Sequence, residues 1–274
     1  MTNNWTLAGA DGQVIYGNTH LPQTSQRGVL IICHGFKGYK DYGFLPYLAR
    51  SAAQHGLIVH RFNFSHSGMT NKLDTFEHPE LFEKDTWGKQ IFDLQQVIQA
   101  ARSGKLKGKG EPGAMTLFGH SRGGVTVLLT AARDQPDCVI GAATPHTGGN
   151  LDDNQKKLLL AAGFLPSPSA RTGQNLRIGK ECLMEMQGDP KAFDPLVAIK
   201  SLTCPVLLLH GDQDATVSID SAAMLKRAAG DLCQLQIIAD ASHTFNAPNP
   251  MASDNIPVQT QQIVDHVCDF ARGD

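Results

Sequence analysis

The sequence predicts an α/β fold: a mostly parallel central sheet with helices on both faces. Three observations carry this. Short apolar runs such as Val29-Leu30-Ile31-Ile32-Cys33 and Val206-Leu207-Leu208-Leu209 lack the alternation of a half-solvated strand, so they suit strands covered on both sides. Segments with helical spacing separate these runs, which is the rhythm of βαβ units with right-handed crossovers. A chain of 274 residues, 41% hydrophobic and 18% charged, also has enough apolar material to cover a large sheet.

The elements follow in order. Trp5-Thr6-Leu7 and Val14-Ile15-Tyr16 flank Asp11-Gly12, a turn-favouring pair, and predict an antiparallel hairpin at one edge. After the strand at 29–33, Phe44, Leu45, Leu48 and Ala52 mark a helix over 44–55. A strand is expected at 57–62, and Ile91, Leu94, Val97 and Ile98 mark an amphipathic helix. Then come a strand at 115–118, a helix at 125–132 and a strand at 138–140. The rhythm resumes with strands at 206–209 and 235–238 and helices at 221–229 and 258–270.

Residues 148–200 interrupt this alternation with Gly148-Gly149, Pro166, Pro168, a short apolar helix at Leu158-Leu159-Leu160 and a polar stretch at Arg171. The segment is too long for an ordinary connection. The chain is therefore expected to be one domain, 1–274, with an insert over the strand ends. That insert is either a lid or a peripheral decoration.

Composition narrows the function classes. A formal charge of −2 gives no basic stripe for nucleic acid or an anionic membrane. Lys105, Lys107 and Lys109 lie between glycines and read as a solvated loop. Met1-Thr2-Asn3-Asn4 is polar, and no run approaches the ~20 apolar residues of a membrane span. A cytoplasmic location is the expectation. The six scattered cysteines then read as reduced thiols. His and Asp residues show no metal-ligand spacing, and no phosphate-binding glycine motif occurs, so no metal or cofactor is expected.

Gly119-His120-Ser121-Arg122-Gly123-Gly124 matches G-x-S-x-G, with an apolar strand before it and a helix after it. A serine at such a sharp strand-to-helix turn projects its hydroxyl outward, and the flanking glycines remove side chains that would collide. The helix dipole favours developing negative charge there. The Arg122 N–H is then a natural oxyanion donor.

A serine nucleophile needs a base, and the base needs an orienting acid. Two carboxylates follow the strand at 206–209. Asp214 lies further into the loop and is the preferred acid, while Asp212 is nearer the strand and is expected to order the turn. His243, in Asp240-Ala241-Ser242-His243 after the last strand, is the candidate base. Asp240 is too close in sequence to reach His243 well, and His266 falls on the terminal helix as a surface residue. The second oxyanion donor is expected from His34-Gly35-Phe36-Lys37-Gly38, where Gly35 permits a tight turn and the Phe36 N–H can face the substrate. His34 is expected to bond backbone near the site.

Together, His34-Gly35-Phe36, the Ser121 motif, the Gly211-x-x-Asp214 turn and Ser242-His243 resemble the α/β-hydrolase superfamily, in order and over nearly the whole chain. Within it, the His-Gly-Phe loop, the insert and Arg61-Phe62-Asn63-Phe64-Ser65-His66-Ser67-Gly68 resemble bacterial dienelactone-hydrolase-like and cinnamoyl (feruloyl) esterase-like proteins. Many such esterases carry Asp where Asn63 stands. True dienelactone hydrolases use a cysteine nucleophile, whereas position 121 is serine. The resemblance implies a cofactor-free serine esterase that cleaves carboxylic esters of small or aromatic acyl groups through an acyl-enzyme on Ser121. A thioesterase or small-peptide hydrolase would share the same residues, and a non-catalytic ligand-binding scaffold is the alternative of a different class. Phe36, His146 beside Thr147, and Phe164 are the candidate substrate contacts. Leu158, Leu159, Phe164 and Leu165 could cap an apolar substrate or form the insert's own small core. The expected partner is a small-molecule ester.

Overall fold

The computed structural model describes residues 2–106, 113–149, 151–252 and 254–273. Lys107 and Lys109 lie outside the described residues; Lys105 is exposed.

The hairpin β1 (Thr2–Ala8) and β2 (Val14–His20) pairs Leu7 with Ile15, antiparallel. Gly17 faces Trp5: a Cβ at Gly17 would lie 2.2 Å from the indole, so only glycine leaves room for the ring. β3 (Gly28–Cys33), β4 (Leu57–Asn63), β5 (Ala114–His120), β6 (Cys138–Ala142), β9 (Val206–Gly211) and β10 (Cys233–Ile238) complete an eight-stranded sheet in the order β1-β2-β4-β3-β5-β6-β9-β10. Only the β1–β2 and β2–β4 pairs are antiparallel, which leaves the hairpin at one edge.

Both faces are covered, as the unbroken apolar runs require. On one side Val29, Ile31 and Cys33 of β3 pack with α3 (Trp87–Arg102) and α4 (Arg122–Asp134). On the other, Leu30 and Ile32 meet α1 (Leu45–Gln54) and α9 (Val258–Arg272). Leu30, Ile31 and Ile32 are all fully buried, and each such side chain is worth roughly 1.5–3 kcal/mol of burial. α8 (Asp220–Ala229) joins the first side, beside α7 (Pro195–Lys200).

Residues 148–200 hold α5 (Asp153–Ala162), the antiparallel pair β7 (Phe164–Pro168) and β8 (Asn175–Gly179), α6 (Glu181–Gly188) and α7. α5 starts on a capping box of Asp152 and Gln155 and ends on Gly163 at φ 83°. Leu159 is buried there, while Leu158 and Leu160 are exposed. The β7–β8 hairpin and α6 carry no sequence pattern strong enough to announce them. Nor does α2 (Pro79–Glu83), which ends the long β4–α3 connection.

That connection and the hairpin form one unit. Arg171 Nη1 donates to the Leu73 carbonyl (2.5 Å), and its guanidinium lies over Tyr39 and Phe76. Gln174 accepts from the Phe76 N–H (2.8 Å) and donates to the Phe76 carbonyl (2.9 Å). Met69, Phe76, Phe82 and Leu176 bury together beneath them. Asn63, fully buried, accepts from the Lys40 N–H (2.7 Å) and donates to the Thr70 carbonyl (2.6 Å). An aspartate there could accept but not donate, which is the physical content of asparagine at this position.

Candidate active site

Ser121 sits between β5 and α4 at φ 55° and ψ −122°, a conformation most side chains avoid. The glycines around it are sterically required. A Cβ at Gly119 would lie 2.1 Å from the Gly123 carbonyl oxygen, and one at Gly123 would lie 2.5 Å from the His34 carbonyl oxygen. At Gly124 it would meet Thr144 Oγ1 at 2.0 Å. The start of α4 thus runs in backbone contact with the ends of β3 and β5, and the Ser121 side chain points out of that crowd.

His243 lies in the loop between β10 and α9. Its Nδ1–H donates to Asp214 Oδ2 (2.8 Å), and its Nε2 accepts from Ser121 Oγ (3.0 Å). The carboxylate partner on Nδ1 fixes this tautomer. The Asp214 side chain is fully buried in the β9–α8 loop. Its Oδ1 accepts from the Thr216 and Val217 N–H groups at 2.8 and 2.9 Å. Burial pushes its pKa up most strongly, but the bond from His243 and the two backbone donors outweigh that, so the carboxyl titrates below its ordinary value. Asp212 is exposed, and Asp240 contributes its carbonyl to Asn246 rather than a carboxylate to His243.

The loop after β3 reaches the same place. A Cβ at Gly35 would be 3.2 Å from Ser121 Cβ, so the chain bearing Phe36 passes directly beside the serine. Arg122 is the first residue of α4, where N–H groups have no intrahelical acceptor. Among the described residues the Phe36 N–H has no acceptor either. His34 shapes this loop: Nδ1–H donates to the Gly35 carbonyl (2.9 Å), and Nε2 faces the Phe64 N–H at 3.4 Å. Burial pulls its pKa down to about 4, so it is neutral.

Beside these two N–H groups is a cleft walled by Phe36 and Phe82 and floored by Asp85, Gln90 and Arg122. The Arg122 guanidinium lies 4.0 Å over the Trp87 ring and pairs with Asp85 Oδ2 at 3.2 Å. Burial pushes the Asp85 carboxyl up to about 6 despite that arginine and the Gln90 amide. A separate cleft on the flank, lined by Tyr16, Ser65, Met69 and His78, shares no residue with the first.

Phe36 is exposed and stacks near Phe82. His146 and Phe164, the other expected substrate contacts, have protein partners of their own. His146 Nδ1 bonds Ser221 Oγ (2.9 Å), and Phe164 lies 4.1 Å beneath the Arg177 guanidinium of its own hairpin. His266 is half-buried on α9. Sequence reasoning passed over Asp85, His120 and His210. The last donates Nε2–H to the Val217 carbonyl (2.9 Å) and closes the Asp214 turn. His120 and His210 had a signal, since each stands inside a recognised motif; Asp85 sits in the β4–α3 connection and had none.

Among the described residues no cluster of three His, Cys, Asp or Glu could hold a metal, and no helix is long and apolar enough to cross a membrane. No curated protein matches the chain by sequence. Solved structures share the fold at low identity. The esterase domain of a Rhodothermus marinus protein is 21% identical, with TM-score 0.67, over 100% of this chain and 98% of that one. Est1E from Butyrivibrio proteoclasticus, solved with ferulic acid bound, is 18% identical, with TM-score 0.73, over 97% of each chain. The α/β hydrolase GrgF from Penicillium sp. sh18 is 17% identical, with TM-score 0.74, over 100% and 98%. The family model described as the alpha/beta hydrolase family matches residues 30–253, and with the sheet order and the Ser121 turn this chain belongs to that family.

Proposed function

We propose that this hydrolase is a serine esterase that cleaves carboxylic esters of small or aromatic acyl groups. The observation that carries the reading is the unbroken chain from Asp214 through His243 to Ser121, with bonds of 2.8 and 3.0 Å. His243 Nε2 takes the Ser121 proton as Oγ attacks the ester carbonyl. Asp214 stabilises the imidazolium that forms. The Phe36 and Arg122 N–H groups receive the oxyanion, and helix α4 adds its positive end. His243 then protonates the departing alcohol, and water repeats the cycle on the acyl-enzyme.

The exposed Phe36 ring beside the oxyanion loop offers an apolar surface to an acyl group, and the ferulate-bound protein of the same fold is consistent with an aromatic one. The β7–β8 hairpin and residues 69–82 serve, in this reading, as a lid over the strand ends. The test is hydrolysis of p-nitrophenyl esters from acetate to octanoate, plus a ferulate ester, by wild type and Ser121→Ala. Turnover lost in the variant supports the reading, and the chain-length profile sizes the acyl pocket. A wild type that neither turns over these esters nor labels with a fluorophosphonate would sink it.

A further inference from the structure

His120 precedes the proposed nucleophile, and its ring does something the acyl-transfer scheme does not use. Its Nε2 lies 2.9 Å from the His243 carbonyl oxygen. A carbonyl can only accept, so Nε2 carries the proton and donates. The ring is buried, edge-on to Phe44 at 5.4 Å and tilted against the His243 ring at 5.0 Å. Residue 120 also faces the oxyanion loop: a Cβ at Gly35 would be 3.2 Å from its carbonyl oxygen.

The loop that bears His243 turns tightly, with the Phe245 N–H on the Ser242 carbonyl (2.9 Å) and the Ala247 N–H on the Thr244 carbonyl (3.1 Å). Asp240, Phe245 and Asn246 all have positive φ. Its other bonds are internal, such as Asn246 N–H to Ser242 Oγ (3.1 Å), reach α9, as Thr260 Oγ1 does to the Phe245 carbonyl (2.7 Å), or meet the β9–α8 loop, where Gln213 N–H donates to the Ala241 carbonyl (3.0 Å) and Asp214 accepts from His243. Among the described residues, His120 and Ser121 are the two points at which the end of β5 hydrogen-bonds this loop.

We infer that His120 is a positioning residue: its neutral imidazole hooks the His243 peptide to the nucleophile strand and so sets the Ser121–His243 distance. This rests on the serine-esterase reading. Neutrality is part of the fit. Burial drives the His120 pKa down to about 3, so no cation sits beside the imidazolium that His243 becomes during attack. The hook therefore supplies a bond without an opposing charge.

The test compares wild type, Ser121→Ala, His120→Phe and His120→Gln by p-nitrophenyl acetate hydrolysis, with active sites counted by fluorophosphonate labelling and stability followed by thermal melting. Wild type that turns over while Ser121→Ala does not establishes the underlying reading independently of His120. Phenylalanine keeps the ring packing and removes the donor; the glutamine amide reaches about as far as Nε2 and restores it. The expected result is a fall of about 10- to 100-fold in kcat per labelled site for His120→Phe, with KM little changed, and recovery of most of it in His120→Gln. A merely structural histidine would lower the melting temperature and the number of active sites but leave kcat per site at the wild-type value, and that result overturns the inference. So does equal kcat in the Phe and Gln variants.

Discussion

The turn at residues 119–124 carries the proposed nucleophile, the hairpin at 164–179 bonds the loop after β3 through Lys37, and the two are held in opposite ways. The turn is fixed by excluded volume: backbone touches backbone at Gly119 and Gly123, and Ser121 is forced to φ 55°. The hairpin is fixed by side chains that reach across roughly a hundred residues of sequence: Arg171 to Leu73, Gln174 to Phe76, and Lys37 Nζ to the Pro168 carbonyl (2.8 Å). Hard contact tolerates no added atom and yields little. A few exposed or half-buried hydrogen bonds are each worth only ~1 kcal/mol, so the hairpin, with the small Leu176 cluster beneath it, is held more softly than the turn.

That contrast is sharpened first at its most sensitive point. Asp214→Asn keeps the shape of the site but leaves His243 in the wrong tautomer, and kcat is expected to fall about 10³- to 10⁴-fold. Gly119→Ala should then separate the two regions by stability. Its methyl group would meet a carbonyl oxygen at 2.1 Å, and a loss of about 3 kcal/mol or more is expected in urea denaturation. A well-tolerated alanine would break the excluded-volume account.

The root of residues 64–82 provides a pH test. Asp93 is fully buried and accepts from the Ala10 and Ser65 N–H groups at 2.8 and 2.7 Å. Burial still pushes it up to about 6 from the ordinary 3.8. A carboxyl whose folded pKa is raised binds its proton more tightly when folded, so its contribution to stability is greatest at low pH and declines as pH rises from about 4 to about 6. The decline amounts to up to about 3 kcal/mol across that window. Asp93→Asn should remove this slope from a series of denaturation curves; an unchanged slope would assign it to other groups. Asp214, with its pKa lowered, works in the other direction, and its stabilisation is lost as pH falls below the ordinary carboxylate range. The smallest effect is expected from Arg171→Ala: about 1 kcal/mol of stability, and a change in KM for long acyl chains larger than that for acetate.

Most of the sheet could be read from the sequence because its signals are local. Runs such as Ile31-Ile32 and the helix spacing of Leu94, Val97 and Ile98 report burial within a dozen residues. The Ser121 turn is local in the same sense. Where Asp214 and His243 stand could be expected from strand ends alone, since loops after parallel strands converge on one edge. The β7–β8 hairpin was illegible because what stabilises it, Arg171 over Tyr39 and Phe76, lies far away in the chain. Asp85 was missed for the same reason, since only folding brings it to Arg122. His146 stands near a strand end and Phe164 in the insert, and what their side chains touch, Ser221 and Arg177, is set by folding rather than by local pattern.

Trp87 gives the molecule an optical reporter of its own. The chain has two tryptophans, and they lie at opposite ends of the question. Trp5 covers Gly17 in the edge hairpin and bonds Thr19 Oγ1 (2.9 Å), far in the sheet order from β5. Trp87 lies under the Arg122 guanidinium, with its Nε1–H on the Gly148 carbonyl (3.0 Å) at the start of the insert. Its emission therefore depends on a cation one residue from the proposed nucleophile and on a hydrogen bond to the start of the 148–200 insert. A Trp5→Phe variant would leave one tryptophan, and stopped-flow emission would report a change at this spot on ester binding without any added dye.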